Sequence, residues 1–354
     1  MTTTTFAGIQ AQTVGTSRLL AGVLERPADA PGATVVFVHG NVSSSVFWQP
    51  LMLALPNTVR GIAVDLRGFG DSERLPVDAT RGLRDFADDV WSVVDALGVD
   101  SVHLVGWSMG GGVVLQQLLD RPDAVASVTL ISPVSPYGFG GTAADGSRLT
   151  DDDAGVGAGG ANPDFVARLA AGDRTADEPT SPRSVLRSSY VAEGYTSEHE
   201  DLWVESMLTT ATGEHNYPGD AVASPNWPGL AAGTHGVLNT MAPKYFDVSG
   251  IVGLERKPPV LWIHGESDAI VGDESFFDLA TLGKVGVLPD WPGEHVAPPQ
   301  PMLRQTRSVL ERYAESGGRY RELELPNCGH SAHIEQTDAV ADALENLMNE
   351  VAAD

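Results

Sequence analysis

Short apolar runs separated by helical patterns are the feature that most limits what this chain can fold into. The runs lie at 33–38, 59–64, 102–105, 128–131 and 260–263, with a more alternating run at 320–325. Apolar runs of this length, bounded by turn residues, are typical of strands buried on both faces of a parallel sheet. Between two of them, residues 83–97 keep apolar side chains at the spacing of one helix face. The alternation predicts the α/β class, with a mostly parallel, doubly wound sheet whose ligands bind at the carboxyl ends of the strands.

The strand pattern is interrupted once over a long stretch. Residues 9–26 alternate weakly and predict an edge hairpin, which makes 128–131 the sixth strand. The alternation then fails from residue 134 to residue 250 and resumes afterwards. We therefore predict a core formed by residues 1–133 and 251–354, with residues 134–250 inserted after the sixth strand as a helical cap.

The inserted stretch and a second, shorter one have features of their own. Small residues dominate Asp151–Asn162, which predicts a mobile loop, and candidate helices follow at 163–171 and 199–210. The second insertion, Val271–Pro301, shows no clear period. Both insertions follow predicted strands at their carboxyl ends, so we expect them to form walls over the site.

Composition excludes some partners. The 354 residues include 22 Lys and Arg against 47 Asp and Glu, a formal net charge of −25. Such a surface repels phosphate backbones and anionic lipids, so neither nucleic acid nor a membrane is an expected partner. The single cysteine, Cys328, cannot form an internal disulfide, and no zinc-ligand spacing is present. We expect neither a metal nor a cofactor.

The N-terminus from Met1 to Gly8 lacks the basic start and the apolar stretch of a secretory signal. No apolar run reaches the roughly 18 residues of a membrane span. We therefore expect a soluble, cytoplasmic protein, and the sequence does not indicate its oligomeric state.

The sharpest local motif is a serine flanked by glycines, Gly106-Trp107-Ser108-Met109-Gly110, which directly follows the run 102–105 and precedes a helical pattern. A serine on a tight strand-to-helix turn needs small residues two positions to either side, because the turn leaves no room for side chains there. The turn also places Ser108 at the positive end of a helix and aims the backbone N–H of Met109 at an oxyanion on an attacked carbonyl. The motif predicts that Ser108 is a nucleophile.

A serine hydroxyl attacks efficiently only when a base takes its proton and a third group orients that base. Asp268 follows the run 260–263, and His330 follows the run 320–325. All three candidates therefore lie at carboxyl ends of predicted strands, which meet at one edge of the sheet. The spacing predicts a triad in the chain order Ser, Asp, His.

With this order of residues the chain resembles the α/β-hydrolase superfamily, over about residues 10–133 and 251–354. The resemblance extends to His39-Gly40-Asn41 after an early strand and to the turn Asp65–Ser72, which we expect to be structural. It implies the α/β-hydrolase fold.

The same resemblance implies hydrolysis through an acyl-enzyme. In that mechanism Ser108 attacks, His330 transfers the proton, and Asp268 holds the imidazole tautomer and stabilises its cation. The resemblance also implies a second oxyanion donor, at the backbone N–H of Asn41 or Val42.

Other titratable residues are rivals for these roles. His333 is an alternative base, which we expect instead to begin the last helix, and Glu266 is an alternative orienting acid. We expect His295 on the surface or lid, and His103 and His264 as hydrogen-bonded structural histidines.

The loop that begins at His39 also resembles the corresponding loop of haloalkane dehalogenases, in which an asparagine side chain helps to hold halide. Those enzymes and the related epoxide hydrolases have an aspartate at the elbow, whereas this chain has Ser108. We therefore do not expect alkyl-enzyme chemistry, and the Asn41 amide either faces the pocket or caps its own loop.

Large apolar and aromatic side chains near the strand ends are candidates for the substrate-binding wall. They are Trp107, Tyr190, Tyr195, Trp203, Met207, Tyr217 and Trp227. An acidic cap disfavours strongly anionic substrates. The combination predicts a serine hydrolase that cleaves a carboxylic ester or lactone of a small, neutral or apolar substrate.

Two alternative functions stay open. The same triad serves aminopeptidases, amidases and hydrolases of carbon–carbon bonds, and an aminopeptidase could hold a substrate ammonium with Glu198, Glu200, Asp201 and Glu205. Such a charge run is also typical of a solvated helix face. The other alternative is a protein that binds a small ligand without catalysis, which would not need a complete triad.

Overall fold

The computed structural model describes residues 4–30 and 32–353. The first three residues of the N-terminus that is predicted to lack a secretory signal lie outside the described residues, as do Pro31, within the predicted core, and Asp354 at its end.

Strands and α-helices follow one another along the described part of the chain. The strands are β1 (Gln10–Gly15), β2 (Leu20–Arg26), β3 (Thr34–Val38), β4 (Arg60–Val64), β5 (Val102–Trp107), β6 (Val125–Ile131), β7 (Thr212–Gly213), β8 (Tyr217–Pro218), β9 (Ala221–Ala223), β10 (Leu230–Ala232), β11 (Val260–Gly265) and β12 (Tyr320–Leu325). The α-helices are α1 (Gln49–Ala54), α2 (Arg84–Ala96), α3 (Met109–Asp120), α4 (Pro163–Ala171), α5 (Pro182–Val185), α6 (Glu200–Met207), α7 (Leu279–Lys284), α8 (Met302–Glu315), α9 (Ala332–Glu335) and α10 (Thr337–Ala353).

One large sheet organises the chain, with eight strands in the order β1-β2-β4-β3-β5-β6-β11-β12. β1 pairs with β2 and β2 with β4 in antiparallel register, and the remaining pairs are parallel. β5 and β11 are buried at every position, which is why their sequences are mostly apolar and do not alternate with polar residues. The predicted mostly parallel α/β sheet is confirmed, and each predicted run corresponds to one of its strands.

Helices contact this sheet and one another. α3 packs against β5 and against α2, while α10 packs against β6, β11 and α1. α2 buries the apolar face that its sequence predicts, including Phe86, Val90 and Val94. No described helix combines the length and the hydropathy that crossing a membrane requires.

The chain leaves the sheet at the end of β6 and returns to it at β11. Between these strands lie α4, α5 and α6, four strands of two or three residues, and a π-helical turn, Leu186–Tyr190. α4 has the predicted bounds, and α6 is shorter than its predicted helix. The limits of the predicted cap, 134 and 250, stay a prediction.

Hydrogen bonds tie the predicted mobile loop Asp151–Asn162 to other parts of the chain. Gly155 N donates to Leu230 O at 2.8 Å, and Ala158 N donates to Asn239 Oδ1 at 2.9 Å. The Asp153 carboxylate is buried and accepts hydrogen bonds from Arg148 and from a backbone N–H. Three of these four bonds come from residues more than 70 positions away, Leu230, Asn239 and Lys244, so composition could not reveal them.

Candidate active site

The backbone at Ser108 forms a tight elbow between β5 and α3. Ser108 has φ 57° and ψ −122°, a strained conformation for a residue with a side chain. A Cβ on Gly106 would overlap the Gly110 carbonyl oxygen, and a Cβ on Gly110 would overlap the Val38 carbonyl oxygen. Both glycines are therefore required by contact distances, for the reason that the sequence pattern indicated.

The structure brings His330 and Asp268 together. His330 Nδ1 lies 2.9 Å from Asp268 Oδ2 and 3.0 Å from Oδ1, and their side chains are only 2% and 3% exposed. Asp268 Oδ1 also accepts hydrogen bonds from the backbone N–H groups of Ile270 at 2.8 Å and Val271 at 3.0 Å. With Nδ1 donating to this fixed carboxylate, Nε2 of a neutral His330 is left as a proton acceptor.

The rival residues lie elsewhere. Glu266 is exposed to solvent, as is His295, and neither lines the cavity over Ser108 among its described residues. His333 is fully buried in the short helix α9, where its ring lies 4.4 Å from the ring of Trp48 and 4.6 Å from that of Trp107. Burial, with the nearby His330, lowers the pKa of His333 well below its usual range. His333 is therefore a neutral core histidine rather than a group at the cavity.

The two histidines expected to be structural do have partners. His103 Nδ1 lies 2.8 Å from Ser127 Oγ, and His264 Nε2 lies 2.9 Å from Glu322 Oε1. His264 Nδ1, in contrast, is buried without a hydrogen-bond partner.

The residues predicted to supply the backbone oxyanion donors lie beside Ser108. Met109 is the first residue of α3, and N–H groups in a first helical turn have no partner within the helix. Asn41 and Val42 belong to the β3 loop, which comprises residues 39–44 and follows β3. This loop touches the elbow, because a Cβ on Gly40 would lie 2.8 Å from Ser108 Cβ.

Asn41 lies at the cavity, and its amide oxygen bonds within its own loop. It lines the cavity over Ser108, and its Oδ1 accepts a hydrogen bond of 3.2 Å from the Val42 N–H. A substrate oxygen that uses the Val42 N–H therefore has to replace this long bond.

A cavity of about 410 Å³ lies over the elbow and is called the Ser108 cavity. Ser108, Met109, Asn41, Val42 and His330 all line it, so the predicted catalytic and oxyanion groups other than Asp268 meet at one surface. Asp268 lies behind His330, where it contacts the imidazole.

The structure corrects most of the predicted substrate-binding wall. Tyr190 and Tyr217 line the Ser108 cavity, whereas Trp107, Trp203 and Met207 are at most 2% exposed and pack in the core. The Trp107 ring lies 5.3 Å from that of Phe47, and the Trp203 ring lies 5.0 Å from it. Large apolar side chains serve cores as well as pockets, and the sequence could not tell the two uses apart.

Two further predicted wall residues also lie elsewhere. Tyr195 is half-buried and donates its hydroxyl hydrogen bond to the Ile334 carbonyl at 2.7 Å. Trp227 lines a separate cavity of about 230 Å³, which shares Gly155, Asp278 and Leu279 with the Ser108 cavity.

Trp107 has a role that sequence reasoning missed. Its indole Nε1 donates a hydrogen bond of 2.9 Å to the His330 carbonyl oxygen, which anchors the loop that carries the histidine.

Most of the apolar lining was also missed. It comes from Val134, Phe139, Phe165, Val185, Leu238, Met241, Ile270, Val271, Phe276, Phe277, Leu279 and Leu282. The adjacent pair Phe276 and Phe277 was a usable signal, since it stands in an otherwise irregular insertion and is 61% and 45% exposed. Exposed neighbouring aromatics are a common mark of a binding surface.

Asp278 is the acidic side chain on this wall. It is 4% exposed, and its oxygens accept hydrogen bonds from the backbone N–H groups of Ala280 at 3.1 Å and Gln300 at 2.7 Å. Burial raises its pKa.

The fold and the placement of these groups define a class of protein. A serine on a strand–helix elbow, with a carboxylate and a histidine after later strands of the same sheet, is the arrangement of nucleophile-elbow α/β proteins. A sequence profile of the alpha/beta hydrolase fold matches residues 33–282. The chain belongs to the α/β-hydrolase fold family.

Individual relatives are similar over part of the chain. Carboxylesterase YbfK of Bacillus subtilis (strain 168) is 35% identical over 112 residues, which are 31% of this chain and 36% of that protein. The matching stretch thus spans little more than a third of that relative.

Solved structures match over nearly the whole chain. Carboxylesterase CesB (YbfK) from Bacillus subtilis has a TM-score of 0.58 and 18% identity, with 96% of this chain and 91% of that chain covered. An esterase (EaEST) from Exiguobacterium antarcticum has a TM-score of 0.59 and 16% identity, with coverage of 96% and 100%. At these identities the likeness concerns the fold.

Proposed function

We propose that the protein is a serine hydrolase that cleaves a carboxylic ester or lactone through an acyl-serine intermediate. One observation carries the proposal: Ser108, on a strained elbow, lines the same cavity as His330, whose Nδ1 is paired with the buried Asp268 at 2.9 Å. The similarity to a carboxylesterase supports the same reaction class.

In the first half of the reaction, Ser108 Oγ attacks the substrate carbonyl carbon and His330 Nε2 takes the hydroxyl proton. Negative charge forms on the carbonyl oxygen, and the N–H groups of Met109 and Val42 stabilise it. The intermediate collapses with cleavage of the bond to the alcohol oxygen, which receives the proton from His330. Asp268 stabilises the imidazolium during this step.

In the second half, water attacks the acyl-serine carbonyl while His330 takes one of its protons. The second tetrahedral intermediate releases the carboxylic acid and returns the proton to Ser108 Oγ. A lactone follows the same steps, except that its alcohol stays attached to the acyl group.

The walls of the cavity support a neutral, apolar substrate. A cavity of about 410 Å³ falls within the roughly 300–1,000 Å³ range of small-molecule sites. Its lining is dominated by aliphatic and aromatic side chains, which disfavour a charged substrate. The net charge of −25 acts in the same direction against anionic substrates.

The surroundings of the acidic residues argue against the aminopeptidase alternative. Glu200 pairs with Arg183 and Arg187, and Glu205 pairs with Arg174. Asp201 also pairs with Arg183, and Glu198 is exposed. None of the four lines the Ser108 cavity among its described residues, so they are poorly placed to hold a substrate ammonium.

Labelling with a fluorophosphonate probe tests the nucleophile. We expect wild type to be labelled and Ser108→Ala not to be labelled. Ser188→Ala is a matched control, because Ser188 lines the same cavity without standing on the elbow. Absence of labelling in wild type, or equal labelling of Ser108→Ala, would contradict the proposal and favour the non-catalytic alternative.

A substrate panel tests the bond. It comprises p-nitrophenyl acyl esters, lactones, a thioester, an aminoacyl anilide and a vinylogous β-diketone, with Ser108→Ala as the blank. We expect the highest kcat/KM for an ester or lactone. Faster turnover of the anilide or of the diketone would replace the proposal with the corresponding alternative.

A further inference from the structure

Tyr190 connects the stretch between β6 and β11 with the catalytic edge of the sheet. It ends the π-helical turn Leu186–Tyr190, a rare conformation that is frequent at functional sites. The side chain is 6% exposed, and its ring packs edge-on to Trp107 at 5.8 Å and to His330 at 6.2 Å. The phenol is thus held among the groups that flank Ser108.

The Tyr190 hydroxyl bonds to the β3 loop rather than to a side chain. It donates a hydrogen bond of 2.9 Å to the Asn41 carbonyl oxygen, and the Val42 carbonyl lies at 3.5 Å. A trans peptide is planar, and its C=O and N–H point in opposite directions. Holding the Asn41 carbonyl therefore also sets the direction of the Val42 N–H.

The backbone at this peptide needs such a restraint. Val42 has φ 45°, a left-handed value that a β-branched residue adopts only under strain. The peptide between Asn41 and Val42 turns by rotation about ψ of Asn41 and φ of Val42. Relaxation of the strain would therefore turn the Val42 N–H, and the Tyr190 bond opposes it.

The stretch that follows Tyr190 is fixed to the other side of the site. Ala192 N donates to Glu335 Oε2 at 2.7 Å, and the same carboxylate accepts the N–H groups of Gly329 and Ser331, which flank His330. A Cβ on Gly329 would lie 2.6 Å from Ala192 N, so the two backbones are in direct contact. Tyr190 is therefore anchored on the loop that carries His330.

We propose that Tyr190 is a positioning residue, whose hydroxyl orients the Asn41–Val42 peptide so that the Val42 N–H can stabilise the oxyanion. This role rests on the proposed function. Burial raises the pKa of the Tyr190 phenol, so the hydroxyl keeps its proton over the working range of the enzyme.

Tyr190→Phe is the direct test, because it removes the hydroxyl and keeps the ring. We expect kcat for a p-nitrophenyl ester to fall roughly tenfold to a hundredfold, below the cost of roughly 10²–10³ for losing an oxyanion donor outright. KM should stay within about twofold, since the Val42 N–H acts on charge that develops in the transition state. The rate of fluorophosphonate labelling should fall in parallel.

Tyr313→Phe is the matched control. Tyr313 is also a buried tyrosine whose hydroxyl donates to a backbone carbonyl, that of Pro258 at 2.6 Å, but it does not line the Ser108 cavity. Tyr313→Phe should lose about as much thermal stability as Tyr190→Phe, whereas its kcat should be retained. A fall in kcat only in Tyr190→Phe supports the positioning role.

Val42→Gly is the second variant. Glycine adopts a positive φ without strain and leaves the peptide freer to turn. We expect lower kcat at similar KM, and the double variant with Tyr190→Phe should lose less than the product of the single losses, because both act on one peptide. If Tyr190→Phe does not fold, Val42→Gly alone tests the positioning role. An unchanged kcat in Val42→Gly would then overturn that role.

The outcomes separate the two proposals. If wild type is labelled and hydrolyses esters but Tyr190→Phe keeps kcat within twofold, only the positioning role is wrong. If kcat and KM change in Tyr313→Phe as much as in Tyr190→Phe, the effect is structural and the role is wrong. If wild type is neither labelled nor active on the panel, the proposed function falls and the role falls with it.

Discussion

The edge of the sheet and the walls of the Ser108 cavity are built in different ways. Ser108, Asp268 and His330 each follow a strand of one eight-stranded sheet, and backbone hydrogen bonds hold the turns that carry them. The walls come largely from residues 134–250 and 271–301, where the strands have two or three residues and the α-helices four to nine.

This difference shows where each property of the site originates. At the sheet edge, main-chain geometry positions a few polar groups. Even one added atom there would overlap rigid backbone. On the walls, side chains of irregular segments supply apolar surface, and replacing one by another changes preference more than chemistry. Substitutions on the two sides should therefore differ in size and in the property that they affect.

The largest effect is expected at the sheet edge, for Asp268→Asn. Loss of the carboxylate removes the group that holds the imidazole tautomer, and we expect kcat to fall by about 10⁴. Glu266→Gln, which alters the exposed rival acid, should keep kcat within twofold. Steady-state kinetics on a p-nitrophenyl ester measures both. If the two variants lose activity equally, the assignment of the orienting acid is wrong.

The next effect concerns stability and compares a glycine from each side. In Gly110→Ala the added methyl would overlap the Val38 carbonyl oxygen, and we expect a loss of about 3 kcal/mol or more in the free energy of unfolding. In Gly160→Ala, on the cavity wall, the nearest atom is a Leu279 methyl at 3.5 Å. That change should stay within about 0.5 kcal/mol. Urea denaturation of both variants measures the difference. Similar losses in the free energy of unfolding would contradict the proposed difference between the sheet edge and the cavity wall.

A smaller effect is expected from the pH dependence of stability. Burial lowers the pKa of His103, in β5, from 6.5 to about 4. The unfolded chain therefore takes up a proton that the folded protein refuses, and stability present at pH 7 is lost as the pH falls from 6.5 toward 4. The loss is about 2 kcal/mol at pH 5, at about 1.4 kcal/mol per pKa unit.

His103→Gln should reduce the stability lost between pH 7 and pH 5 by this amount, as measured by urea denaturation at the two pH values. The exposed His295→Gln should lose as much as wild type. Burial raises the pKa of Asp65 to about 6, which acts in the opposite direction in all three proteins, so the comparison uses differences between variants. An unchanged pH slope in His103→Gln would show that the buried histidine does not cause the loss.

The smallest effect is expected on the wall. Phe276 and Phe277 are exposed and line the Ser108 cavity. Replacing both by alanine should lower kcat/KM for p-nitrophenyl octanoate roughly tenfold, since each buried CH₂ contributes about 0.8 kcal/mol. Turnover of p-nitrophenyl acetate and the free energy of unfolding of the double variant should change little. Val287→Ala is the control, because Val287 is exposed but lies outside the described lining. Equal losses of kcat/KM on both esters would show that Phe276 and Phe277 do not contact the acyl chain.

Much of the sheet edge could be predicted because its signals are local. The strands show as apolar runs, the elbow shows as two glycines around Ser108, and the positions of Asp268 and His330 follow from the strands before them. The walls lacked such signals. Trp203 and Tyr190 are both large aromatic residues from the same irregular stretch, yet only Tyr190 reaches the cavity.

The sequence by itself determined the α/β class, the strand order along the chain and the nucleophile motif, because hydrophobic periodicity and the size of glycine act over a few residues. The tertiary structure alone decided which side chains of residues 134–250 face Ser108 and which pack in the core. It also decided that the Tyr190 hydroxyl meets the Asn41 carbonyl, 149 positions away in the chain. Contacts over such a separation depend on how irregular segments fold back over the sheet, and no short-range pattern encodes that path.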